Sequence, residues 1–92
     1  MTAFDLIDSI FARHQDGVPG NERRVTSAQL GYLRNLIDAD PEGGALRRDG
    51  PNVWLWAPAG RNKYRIEEDM VKGRHKIARL STLTPSATGR LF

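Results

Sequence analysis

The stretch "VTSAQLGYLRNLI", residues 25 to 37, fixes the start of a helix to the residue. Thr26 and Gln29 have the spacing of a capping box. The threonine hydroxyl accepts from the backbone of the third helical residue, and the glutamine side chain reaches back to the cap. Val25 and Leu30 occupy the two positions of a hydrophobic staple, which sets the angle at which the chain enters the helix. Leu30, Leu33 and Ile37 then recur at helical spacing, widened by Tyr32 and Leu36, and Pro41 ends the helix near Asp38. A helix with one apolar stripe has to lay that stripe on another element.

A second helix is predicted upstream, in "TAFDLIDSIFARHQDG". Thr2 caps it with Asp5 three places on; Phe4, Ile7, Ile10 or Phe11, and His14 follow at helical spacing; Gly17 and Pro19 stop it. Residues 16 to 24, "DGVPGNERR", read as a polar connector rich in turn formers.

The surface that covers both helices is legible in "NVWLWAPAGRNKYRIEED", residues 52 to 69. "PAG" suits a three-residue hairpin loop, with Pro58 fixing the first corner and Gly60 taking the left-handed position. That register sets Ala57 opposite Arg61, Leu55 opposite Lys63 and Trp54 opposite Tyr64. A two-residue loop at Ala59-Gly60 would set Trp54 opposite Arg65 instead, and a one-residue slip changes which side chains share a face. In the favoured register Trp54, Trp56 and Tyr64 lie on one face, with Val53, Leu55, Lys63 and Arg65 on the other. A small domain needs large side chains in its core, so the aromatic face is expected to pack on Leu30, Leu33 and Ile37. The competing use, a stacking platform for bases, ranks below it.

"KGRHKIARLSTL" adds a strand from about His75 to Leu80, and the loop at 38 to 52 holds a short edge strand at Ala45 to Arg48. The fold expected is α+β: two N-terminal helices packed on a C-terminal antiparallel β-meander of about three strands. Residues 1–83 form one small domain and 84–92 an extended tail. The pattern T-x-x-Q-x-x-Y-L-x-x-L, from Thr26 to Leu36, resembles a short helix that recurs in small proteins of phages and other mobile elements. The resemblance spans 11 of 92 residues. It implies a genomic setting and assigns no residue a role.

Ninety-two residues suffice for one core and not for two. The chain has no cysteine, which excludes disulfides, thiolate zinc sites and a cysteine nucleophile. No apolar run approaches the roughly 18 to 20 residues of a membrane span, so no membrane partner is expected. The N-terminus carries acids where a signal peptide carries bases, which makes the cytoplasm the expected location.

Charge is unevenly distributed. Residues 1 to 46 hold four bases and seven acids, net −3, while residues 47 to 92 hold ten and four, net +6. The basic half should attract an acidic partner. Arg61, Lys63 and Arg65 lie around the hairpin turn, and Lys72, Arg74, His75, Lys76 and Arg79 follow. If the strands are neighbours, their cations converge on the sheet face away from the helices and on the hairpin tip, and could neutralise several phosphates.

Other polar groups point to less. Arg23-Arg24 and Arg47-Arg48 read as solvated loop arginines. His14 and His75 lack metal-pair spacing and read as exposed or core-edge residues. Asp5 and Asp8 suit a helix start, and neither they nor Glu67 to Asp69 suggest a catalytic carboxylate pair. Ser27 and Ser81 have no adjacent base in sequence. The chain is therefore expected to be neither an enzyme nor a cofactor-binding protein.

These features predict a small nucleic-acid-binding accessory protein that contacts phosphates of DNA or RNA through Arg61, Lys63, Arg65, Lys72, Arg74, Lys76 and Arg79. The alternative is a protein-binding inhibitor or adaptor acting through the acidic half or through an exposed helix face bearing Leu6 and Phe11, a face that would also serve a homodimer. A winged-helix layout ranks lower, since its recognition helix would fall within residues 38 to 52, where Gly43, Gly44, Gly50, Pro41 and Pro51 oppose one.

Overall fold

The computed structural model describes residues 1–58 and 60–80; the expected tail at 84–92 lies outside them. Helix α1 spans Ala3–Ala12 and α2 spans Ser27–Ala39. Five strands follow in chain order: β1 Glu22–Thr26, β2 Leu46–Gly50, β3 Val53–Trp56, β4 Lys63–Glu67 and β5 Arg74–Leu80.

Both capping boxes form. Asp5 N–H donates to Thr2 Oγ1 and Thr2 N–H to Asp5 Oδ2, each at 3.1 Å. In α2, Gln29 N–H donates to Thr26 Oγ1 at 3.1 Å and Thr26 N–H to Gln29 Oε1 at 2.9 Å. Val25 and Leu30 are both buried, as the staple requires. Helix α1 ends at Ala12, short of Gly17, and His14 falls outside it. The reason lies in β1: the Arg23 guanidinium binds the carbonyls at the end of α1 and holds the chain there.

The strands form a single antiparallel sheet in the order β1-β5-β4-β3-β2. A four-strand meander is thus extended by β1, which pairs with the last strand, Glu22 lying opposite Ala78 and Val25 opposite His75. β1, in the segment expected to be a polar connector, and β2, the short edge strand expected within the loop at 38 to 52, bring the total to five against about three expected in the meander. β1 was hidden because "ERRVT" is short and polar and lies at an edge. β2 matches the short edge strand expected at Ala45 to Arg48 and runs two residues further; Pro51 and Asn52 link it to β3, and Asn52 takes φ +62°, the left-handed conformation such a turn demands of its second central residue. Residues 38 to 52 hold the end of α2, a 3-10 turn at Pro41–Gly43 and β2, so they contain no recognition helix of the winged-helix kind.

Between β3 and β4 the register is Trp56 opposite Tyr64, Leu55 opposite Arg65 and Trp54 opposite Ile66. This differs by two residues from the three-residue hairpin. A turn does close at the expected place, where Arg61 N–H donates to Pro58 O at 3.3 Å and Gly60 has φ +75°, but the loop around it is wider. A shift of two preserves the alternation of faces. Trp54, Trp56 and Tyr64 therefore still share the face toward the helices.

That face is the core. Trp56, Tyr64, Ile7, Leu33, Ile66 and Ile77 are all less than 2–3% exposed, and Leu30 and Ile37 join them. The aromatic rings meet α1 as well as α2: Trp56 stacks between Phe4 and Tyr64, each centroid 5.4 Å away, and Phe11 lies 6.0 Å from Tyr64. Trp56 Nε1–H donates to Gly44 O at 3.2 Å. Gly44, at φ +104°, could not be another residue without strain, since a Cβ there would come within 3.0 Å of the Pro58 backbone. Phe11 is buried and Leu6 half-buried against the core, so the exposed α1 face expected for a protein partner or homodimer does not exist in that form. Among the described residues, no helix is long and apolar enough to cross a membrane.

Candidate nucleic-acid interface

One face of the sheet is covered by the helices, and among the described residues no element covers the other, the open face. Even-numbered residues of β1 and β5 and odd-numbered residues of β3 and β4 point to the open side. This places Arg24, Arg74 and Lys76 at one end, Arg65 in the middle and Lys63 at the other end, where it faces Leu80. From Arg74 to Leu80 is six residues, or roughly 20 Å of strand. Arg47 adds a further cation opposite Leu55.

Of the seven cations expected to form the site, four lie on this face: Lys63, Arg65, Arg74 and Lys76. Lys72 sits in the β4–β5 turn. Arg61 and Arg79 lie on the helix side, together in an open depression of about 430 Å³ with Asp8, Asn62 and Tyr64. There Arg61 Nη2–H donates to both oxygens of Asp8, at 2.8 and 3.0 Å, and its guanidinium lies 4.6 Å above the Phe4 ring. The Asp8 hydrogen bond raises the Arg61 pKa further above its already high ordinary value. Arg79 covers Phe11 at 4.7 Å. Both arginines thus hold α1 to the sheet.

Carboxylates thin the open face without neutralising it. Glu67 lies 3.2 Å from Arg65 and 3.7 Å from Lys76; Asp49 lies 3.8 Å from Arg65 and Glu22 3.8 Å from Lys76. Arg24, Arg47, Lys63 and Arg74 have no carboxylate within 4 Å among the described residues. Arg24 was missed as a site residue because its strand was missed. It stands directly opposite Lys76, and Arg74 is the next outward residue on β5. Like charges paired across strands destabilise a sheet, and here Glu67, opposite Lys76 on β4, and Glu22 offset part of that repulsion. Beside it, a depression of about 480 Å³ is bordered by Arg24, Arg74 and Lys76 and equally by Glu67, Glu68 and Asp69. Small anions find no net charge in that hollow. Beyond that hollow the open face also carries Arg47, Lys63 and Arg65.

Arg23, the other half of the dibasic pair, is buried. Its Nε–H donates to Arg13 O at 2.7 Å, Nη2–H to Phe11 O at 3.0 Å, and Nη1–H to Gly20 O at 3.0 Å and Glu22 O at 2.6 Å. The guanidinium also lies 5.2 Å from the Phe11 ring centroid. A cation at a helix C-terminus complements both its free carbonyls and its dipole.

The tryptophans are accounted for without a ligand. Trp56 is core, and Trp54 lies half-buried between the guanidiniums of Arg34, at 4.7 Å, and Arg48, at 5.3 Å, with its indole N–H donated to Glu68 at 3.0 Å.

His75 is buried, and 48 residues of sequence separation concealed its contact with Ser27, whose Oγ is 2.9 Å from Nε2. The pair looks like a nucleophile and its base. However, Asp69 N–H donates to His75 Nδ1 at 3.0 Å, which assigns the lone pair to Nδ1 and the hydrogen to Nε2. A base for Ser27 would need the opposite tautomer, setting two N–H groups against each other. His75 therefore donates to Ser27 and ties the start of α2 to the β4–β5 turn. That turn is closed by the Asp69 carboxylate, which accepts from Lys72 N–H at 3.0 Å and Val71 N–H at 3.1 Å. The Lys72 bond, then the Val71 bond, hold its pKa below the ordinary 3.8. A depressed folded-state pKa contributes stability above the unfolded value, and that contribution is lost as pH falls through the folded one. Asp69→Asn keeps the acceptor and removes the titration. Its thermal midpoint should fall less steeply than wild type between about pH 4 and 2; parallel curves would show that the turn does not titrate.

No protein-family model matches the chain, and no significant match was found among curated proteins or solved structures.

Proposed function

We propose that this chain is a small non-enzymatic accessory protein that binds nucleic acid by its phosphate backbone, through the open face of the sheet. Lys63, Arg65, Arg74 and Lys76 make the contacts together with Arg24, and Lys72 borders them. The phage or mobile-element setting rests on the resemblance of the α2 pattern. The observation that carries the reading is the gathering of Arg24, Lys63, Arg65, Arg74 and Lys76 on one face of the sheet, where Arg24, Lys63 and Arg74 have no carboxylate within 4 Å among the described residues. Cations spread along the strands suit an extended polyanion better than a small anionic ligand.

The aromatic residues support a preference between strands. Trp54, Trp56 and Tyr64 face the helices, Phe4 and Phe11 lie on α1 and Tyr32 on α2, so none of these rings is available on the open face for stacking bases. Contact with the backbone of a duplex, largely indifferent to sequence, is the favoured mode.

Fluorescence anisotropy with a labelled mixed-sequence duplex tests this. Log affinity should fall linearly with log salt, with a slope of about −3 to −4 for some four phosphate contacts. Arg24→Ala with Lys76→Ala should reduce the slope by about two across all sequences, while Arg61→Ala leaves it unchanged. No binding at low salt would end the reading.

A further inference from the structure

The two edges of the sheet are finished differently. Arg79 N–H donates to Asn21 O, which makes the odd-numbered residues of β1 the ones bonded to β5 and turns the main chain of Glu22, Arg24 and Thr26 outward. All three outward N–H groups are occupied: Glu22 N–H donates to Pro19 O at 2.9 Å, Arg24 N–H to Gln15 Oε1 at 2.7 Å, and Thr26 N–H to Gln29 Oε1 at 2.9 Å. Gln15 Nε2–H also donates to Arg24 O at 3.0 Å, so its amide takes the place of a neighbouring strand. This edge is sealed.

The opposite edge is not. Glu68 N–H donates to Asn52 O at 2.8 Å, which fixes the even-numbered residues of β3 toward β4 and the odd-numbered ones toward β2. Leu55 therefore bonds Arg47, and the main chain of Leu46 and Arg48 faces outward. Among the described residues none of those N–H and C=O groups has a hydrogen-bond partner. Unpaired strand edges are templates for another strand, and proteins commonly blunt them with charge and bulges. β2 has both devices, exposed Arg47 and Arg48 and a bulge between Arg48 and Gly50. They act selectively. A second copy pairing antiparallel at this edge would set Arg47 and Arg48 against the same two arginines, which repel. An acidic strand meets no such penalty, because the one carboxylate on β2, Asp49, is already engaged with Arg65.

We infer that β2 is a docking edge for an extended acidic segment of another protein, which adds a sixth strand by main-chain bonds to Leu46 and Arg48 and sets adjacent carboxylates against Arg47 and Arg48. This is strand addition with a charge filter. Its main-chain edge is distinct from the proposed phosphate contacts, Arg47 alone also lying on the open face, and it stands whether or not that face binds nucleic acid.

The test uses the full chain and a fluorescein-labelled peptide with a central Glu-Asp pair flanked by valine and threonine. In the free protein the Leu46 and Arg48 amides should exchange with solvent much faster than Arg47, whose N–H bonds Leu55. Added peptide should protect those two amides, and a Lys-Lys counterpart should not. Arg47→Glu with Arg48→Glu should weaken the acidic peptide about tenfold or more and admit the basic one. Arg24→Ala with Lys76→Ala should leave peptide affinity unchanged. If both amides stay unprotected at saturating peptide, or if the basic peptide protects them equally in the wild type, the inference fails. Protection that rises with protein concentration alone would show self-pairing and overturn it too.

Discussion

Trp56→Ala is expected to lower the unfolding free energy by about 3 to 5 kcal/mol. The indole is 1% exposed and stacked between Phe4 and Tyr64. Truncation therefore removes contacts on both ring faces and opens a cavity where α1 meets the sheet. It also strands the Gly44 carbonyl, which accepts the indole N–H. A domain of this size has only about 5 to 15 kcal/mol in total, so the variant should be near its unfolding midpoint at moderate temperature. Urea denaturation followed by far-ultraviolet circular dichroism measures the loss. Trp56→Phe restores ring area without the N–H and should recover more than half of it. If Trp56→Ala costs less than about 1 kcal/mol, the stack does not organise the core.

Arg23→Ala comes second, at about 2 to 4 kcal/mol. Its guanidinium satisfies carbonyls of Phe11, Arg13, Gly20 and Glu22, and no other described donor serves the end of α1 beyond the Arg13 N–H, which reaches Ile10 O. Removing it leaves those oxygens to compete for water in a partly closed site. Arg23→Lys keeps the charge and loses the fork, so it should recover a minority of the stability. The comparison that isolates the effect is the neighbour. Arg24→Ala, on the open face, should shift stability by no more than about 0.5 kcal/mol. Equal losses at the two positions would mean that the buried clamp contributes nothing specific.

That contrast shows where sequence reading works and where it stops. Thr26 with Gln29, and Thr2 with Asp5, are local chemistry, complete within four residues, and both caps form as read. The face alternation of Trp54, Trp56 and Tyr64 also survives, because a register error of two leaves parity intact. Arg23 and Arg24 are adjacent and chemically identical in sequence. Only the pairing of β1 with β5, across more than fifty residues, sends one inward and the other outward. The same pairing moves Arg79 to the helix side while Lys76 faces out, so a run of basic residues in sequence becomes two groups on opposite sides of the sheet. Ser27 and His75 met for a similar reason, their contact being set by where β5 docks. The turn at Pro51 and Asn52 was legible in principle, since proline followed by a residue tolerant of positive φ is a turn signal between two strands. It joins the edge strand read at Ala45 to Arg48 to β3.

The neighbouring position of β1 and β5 has a consequence for synthesis. Until the ribosome has released residues 74 to 80, residues 22 to 26 have no strand to join, and the apolar sides of both helices lack the middle of the surface they cover. Closing so long a span is slow relative to forming a helix or a hairpin. The apolar sides of α1 and α2 therefore stay incompletely covered until β5 is free to dock.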